Sequence, residues 1–224
     1  MYGFVSGPLV LIAFVLFVLG LVIQIVRFFR MTRKKGPVGI PVSNPRQQDV
    51  DALRPPEEVR KKVRLRGTVL RIEPFMAVVT TIFHLMLILT PILLLAHNLL
   101  IEMSWGVSFP SLGEGTTDIL TVAIMGFCVF FFLRRLFLAK VRAISTPYDF
   151  LLLFLVFLPF ATGFVAYHQL FAYKAVLLAH VLAGELMLIC IPFTKLVHMV
   201  FFFLYRLFLP GEYSFMPVGR RVWK

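Results

Sequence analysis

The stretch LVFLPFATGF, residues 155–164, lies in a longer run from about residue 149 to residue 170 that is almost wholly apolar. A β-barrel strand alternates polar and apolar side chains, and this run does not alternate. It reads instead as one helix crossing a bilayer, which needs about 20 apolar residues in succession. Four further windows have the same character, roughly 8–29, 75–101, 118–138 and 175–206. They predict an all-α integral membrane protein: a bundle of five transmembrane helices forming a single domain over residues 1–224. The bulk numbers agree, with 59% of the 224 residues hydrophobic and a mean hydropathy of +0.89.

Basic residues set the expected orientation. Of 23 Lys and Arg, 13 lie from Arg27 to Arg71, four from Arg134 to Arg142 and five from Lys195 onward, leaving Lys174 alone on the other side. By the positive-inside rule this puts the N-terminus outside and the 30–72 segment, the 134–148 segment and the C-terminal tail in the cytoplasm. The formal charge of +12 therefore belongs to topology and anionic lipid headgroups, not to nucleic acid. No positive charge precedes the first apolar run, and RFFRMTRKK follows it, so the first helix reads as a retained reverse anchor and not as a cleaved signal. In the long loop, Pro56, Glu57 and Glu58 followed by Lys and Arg have the order of a short helix. That loop is a solvated segment or a docking surface for a cytoplasmic subunit.

The two cysteines, Cys128 and Cys190, fall in different spans, and no CxxCH or CxxC motif occurs. Covalent haem attachment and iron–sulfur chemistry are therefore not expected of this chain. The histidines are more informative. Ionisable side chains inside a membrane are costly and usually face a bundle interior, and His84, His97, His180 and His198 fall at paired depths on the second and fifth helices: His84 with His198 near the cytoplasm, His97 with His180 near the outside. Neutral imidazole is the usual protein ligand of haem iron. Two bis-His haems b would take all four. His180 and His198 are five turns apart, about 27 Å, and leave the same face of helix five. His84 and His97 are about 220° apart around a straight helix and do not share a face, while Pro91 between them permits a kink and local rewinding. His97 is thus the weakest of the four expected ligands, and His168 is its rival. Gly184, one turn after His180, has the small size that lets a macrocycle approach, or serves helix packing.

HVLAGELMLICIPFTKLVHMV (180–200) and LRRLFLAKVRAISTPYDFLLLFLVF (133–157) resemble the gamma subunit of respiratory nitrate reductase and its relatives, as IFHLMLILTPILLLAH (82–97) does more loosely. Those relatives include membrane cytochrome b subunits of transmembrane redox complexes in sulfate-reducing bacteria, of the Hmc and Tmc type. The resemblance covers roughly residues 70–210 and is most specific at PFTKLVH with the upstream His. It implies five helices in the bacterial inner membrane and two haems b, each held by one His of helix two and one of helix five. His84, His180 and His198 match by position, and His97 by order. The wider spacing of the first His pair and the longer 30–70 loop favour the sulfate-reducer branch. There the implied partners are a periplasmic multihaem cytochrome c, a quinone-binding membrane subunit and a cytoplasmic iron–sulfur protein.

Haem propionates are anionic, which makes Lys195, Arg206, Arg71 and Arg142 candidate partners; the alternative is snorkelling to the interface. Glu185 is a candidate for passing a quinol proton or a helix contact. Tyr167, His168, Tyr173 and Lys174 gather where a menaquinone headgroup could sit, or form an aromatic belt. No catalytic nucleophile or general-base set is present, so the expected role is electron transfer through cofactors. The competing functions are a quinol-oxidising anchor of a nitrate reductase-like enzyme and, from a different class, a haem-free membrane anchor or proton-path protein.

Overall fold

A computed structural model describes residues 2–34 and 73–208. The described residues are helical, with no strand among them. A short turn, Tyr2–Phe4, and a π-helical segment, Val5–Leu9, lead into α1 (Val10–Lys34). Then come α2 (Pro74–Leu93), α3 (Leu95–Trp105), α4 (Glu114–Phe137), a turn at Ala139–Arg142, α5 (Pro147–Tyr167), α6 (Tyr173–Phe193), a 3₁₀ turn at Lys195–Val197 and α7 (His198–Phe208). Five helical stretches are long and apolar enough to cross a membrane: Gly7–Thr32, Pro74–Leu93, Glu114–Phe137, Pro147–Tyr167 and Tyr173–Phe193. Large apolar side chains such as Ile119, Leu151 and Ile23 are mostly exposed on these helices, the outward-facing apolar surface of a multi-pass membrane protein. The short helix expected at Pro56, Arg71 and the C-terminal tail lie outside the described residues.

Two of the five windows are not single helices. The second breaks at Leu94, whose backbone is extended with ψ 125°. Pro91 has already removed one bond of the helical ladder, and the break is closed by non-helical partners: Leu112 N–H donates to Leu93 O at 2.9 Å. The fifth window breaks at Thr194, also extended, two residues after Pro192. There the Thr194 hydroxyl accepts the Leu196 N–H at 3.2 Å, a side-chain cap that starts the next turn. The continuous five-turn register between His180 and His198 is therefore interrupted.

The chain divides into two compact units, Met1–Gly20 with Val79–Leu196 and Leu21–Val78 with Val197–Lys224. In the first, Phe83 of α2, Ile124 and Cys128 of α4, and Val156 and Phe160 of α5 form the buried core, with Phe127 and Phe131 against it. Helix α1 joins this unit through its first half. A Cβ on Gly20 would stand 2.6 Å from Pro192 Cγ, so only glycine permits α1 and α6 to approach this closely. Phe14 meets Trp105 edge to face at 5.6 Å. In the second unit, Phe28 packs on Tyr205 at 5.5 Å and Phe29 on Phe208 at 5.2 Å, joining α1 to α7. The start of α5 is set locally: Thr146 precedes Pro147, and its N–H and hydroxyl both donate to Asp149 Oδ2 at 2.8 Å.

Candidate functional site

His97 and His180 come together in the first unit. Their ring centroids are 6.0 Å apart and their planes 21° from parallel. The break at Leu94 helps to place His97. No backbone N–H spans the break to Pro91 O, and His97 Nδ1 lies 2.9 Å from that carbonyl instead. His180 is held in the same way from another helix, with Nδ1 2.9 Å from Pro159 O and 3.4 Å from the Thr162 hydroxyl. A carbonyl only accepts, so each Nδ1 carries the proton and each Nε2 presents its lone pair. This is the tautomer that a metal-binding histidine takes when a backbone carbonyl fixes its other nitrogen.

His84 has the same arrangement, with Nδ1 2.6 Å from Thr80 O one turn earlier on α2. His168 has the opposite one. Its Nε2 is 2.9 Å from Asp118 Oδ1, and the neighbouring Tyr167 hydroxyl donates to Glu114 Oε2 at 3.1 Å, tying the end of α5 to the start of α4. Of the two rivals for His180, His97 is the one beside it, while His168 has its Nε2 on a carboxylate. His198 opens α7 in the second unit and is exposed.

A bis-His haem makes a definite demand on the spacing of this pair. Two imidazole nitrogens each about 2.0–2.1 Å from one metal ion, the bond length known for zinc, would put the ring centroids roughly 6 Å apart, and the His97–His180 centroid separation is of that size. Gly184 faces open space, with nothing within 4 Å of an added Cβ. In ring spacing and tautomer the His97–His180 pair fits the group. Gly163 was not singled out by its sequence context, yet a Cβ there would lie 2.9 Å from His180 Cε1 and 3.1 Å from its Nδ1. The ring packs on bare backbone. A glycine in an apolar helix is the only signal for this, and it does not reveal which side chain arrives from across the bundle.

Other expected site residues have different surroundings. Lys195 donates to Asp149 Oδ1 at 2.9 Å and lies over the Tyr148 ring at 5.5 Å. Arg142 is exposed in the turn after α4, 3.5 Å from Leu136 O. Arg206 belongs to α7, but its side chain is outside the described set. Tyr173 and Lys174 are exposed at the start of α6. Glu185 is buried on α6 with both carboxyl oxygens lacking a hydrogen-bond partner.

The chain is 43% identical over 150 residues to a curated protein of Nitratidesulfovibrio vulgaris strain Hildenborough, whose name states no activity. The match spans 66% of this chain and 66% of that protein's length. No protein-family profile matches the chain, and no solved structure does.

Proposed function

We propose that this protein is a dihaem b-type cytochrome subunit of a membrane-bound respiratory redox complex. It carries electrons across the bacterial inner membrane between periplasmic cytochrome c or the quinone pool and a cytoplasmic iron–sulfur partner. The observation that carries this reading is the His97–His180 pair, two near-parallel rings from different helices, each with Nδ1 held by a carbonyl and Nε2 left as a ligand.

His97 and His180 would hold the outer haem, and His84 and His198 are the ligands that the family resemblance implies for the inner one, with the N-terminus periplasmic and the C-terminus cytoplasmic. Bound haem supplies one-electron chemistry at iron. The chain's own contribution is orientation and exclusion of water. Pro91 and Pro159 carbonyls fix the ring tautomers and Gly163 lets the His180 ring seat, while Gly184 leaves room beside it. Menaquinone is a further candidate ligand near Tyr173 and Lys174, where Tyr167 and His168 are already tied to α4.

The test is the reduced-minus-oxidised spectrum of the purified protein. Two haems b per chain are expected. A protein that binds no haem overturns this reading in favour of a haem-free anchor or proton-path protein.

A further inference from the structure

Glu185 is 5% exposed, and neither carboxyl oxygen has a partner. Its position is set by helix one. Gly20 meets Pro192, and the Val5–Leu9 segment packs on α6, so α1 and α6 run in parallel. Ala13 lies seven residues before Gly20 and Glu185 seven before Pro192. Two turns back from the close approach, a fully buried Ala13 therefore comes level with Glu185. Ala13 and Gly20 are the small residues that line the α1 side of this seam.

The seam offers no counter-ion. From Val5 to Gly20, helix one carries no titratable side chain. Helix α5 carries none from residue 150 to residue 166. On α6 itself the titratable groups are Tyr173, Lys174, His180 and Cys190, and α3 brings His97 and Glu102. The nearest of these along α6 on the His97 side is His180, five residues from Glu185, which is about 7.5 Å of rise and roughly 140° around the helix. An isolated carboxylate in such a place costs several kcal/mol. Its ionisation is therefore sensitive to any charge that appears nearby, and with haem held by His97 and His180 the charge that would change there is that of the iron. Oxidised iron carries one more positive charge than reduced iron, and the low dielectric leaves the difference weakly screened.

We propose that Glu185 is a proton-binding site linked to the electron on the outer haem. As an electron from a quinol or a reduced cytochrome takes iron(III) to iron(II), one proton from the aqueous phase forms an O–H bond on the Glu185 carboxylate. Oxidation reverses both. This inference rests on the haem assignment above.

The experiment is a redox titration of the purified protein over the neutral pH range, with infrared redox-difference spectra. In the wild type, the outer haem potential should fall as pH rises, and a protonated-carboxyl C=O band that shifts in D2O should appear on reduction. Glu185→Gln, a neutral variant of the same shape, should keep both haems and lose the pH slope and the band. Haem present with a pH-independent outer potential, or a slope and band that persist in Glu185→Gln, overturns the proposal while leaving the haem reading intact. Absence of haem is the separate failure of that reading and removes this one with it. If Glu185→Gln does not accumulate in membranes, the wild-type infrared spectrum decides alone: no carboxyl band on reduction overturns the proposal.

Discussion

The His180 ring stands 6.0 Å from the His97 ring, centroid to centroid, and each is anchored through Nδ1 to the carbonyl of a proline, Pro159 and Pro91 respectively. If the pair shares one haem, replacing either ring removes that haem and spares the other. His97→Ala should therefore halve the haem b content, while His168→Ala should leave it unchanged. Pyridine haemochrome analysis of the two purified variants checks this. Equal haem content in His97→Ala and wild type would refute the ligand assignment.

Gly163 makes a second, independent demand on the same site. A methyl group there would press on Cε1 of His180 at 2.9 Å, and overpacking of this kind costs about 1–3 kcal/mol. The ring, not the backbone of α5, is the part able to move. Gly163→Ala should accumulate in membranes near wild-type levels but lose the outer haem or hold it in an altered electron paramagnetic resonance spectrum, because the angle between the imidazole planes changes. Gly126, whose added Cβ meets nothing within 4 Å, is the control: Gly126→Ala should leave the spectrum as it was.

The five spans were legible in the sequence because lipid imposes a length and a composition that few soluble segments share. The places where two of them break were not. Pro91 and Pro192 announce a weakened ladder, but the break falls at Leu94 because Leu112 N–H supplies a partner to Leu93 O, and at Thr194 because its hydroxyl caps the next turn. Straight-helix geometry put His84 and His97 on different faces, and the extended Leu94 gives α3 a direction that no angular count along one helix contains. Gly163 and the Asp149–Lys195 pair were invisible for another reason. Each depends on a residue from a different helix.

Asp149 joins two local features, capping Thr146 and pairing with Lys195. The lysine side chain is 60% exposed, so the pair itself contributes about 0–1 kcal/mol, while loss of a capping interaction typically costs about 1 kcal/mol. Lys195→Met should therefore shift the unfolding temperature less than Asp149→Ala does, and neither should reduce haem content. Thermal unfolding in detergent, followed by far-ultraviolet circular dichroism, gives the order. A loss of the inner haem in Lys195→Met alone would instead assign Lys195 to a propionate.

Helix one is held to α6 by the contact of Gly20 with Pro192, where a Cβ would be 2.6 Å from Cγ and 2.7 Å from Cβ of the ring. A proline ring cannot swing aside as a longer side chain would, so any side chain at position 20 forces the helices apart. Gly20→Leu should detach the first half of helix one and open the seam that covers Glu185. Gly20→Ala should do so in part, at a cost of about 1–3 kcal/mol. The measurement is alkylation of a cysteine introduced at Ala13, in a background with Cys128 and Cys190 replaced by Ala. Ala13 is fully buried, so the thiol should resist a membrane-permeant maleimide when Gly20 is intact and react when it is Leu. Equal labelling of the two proteins would show that the glycine contact does not hold this helix in place.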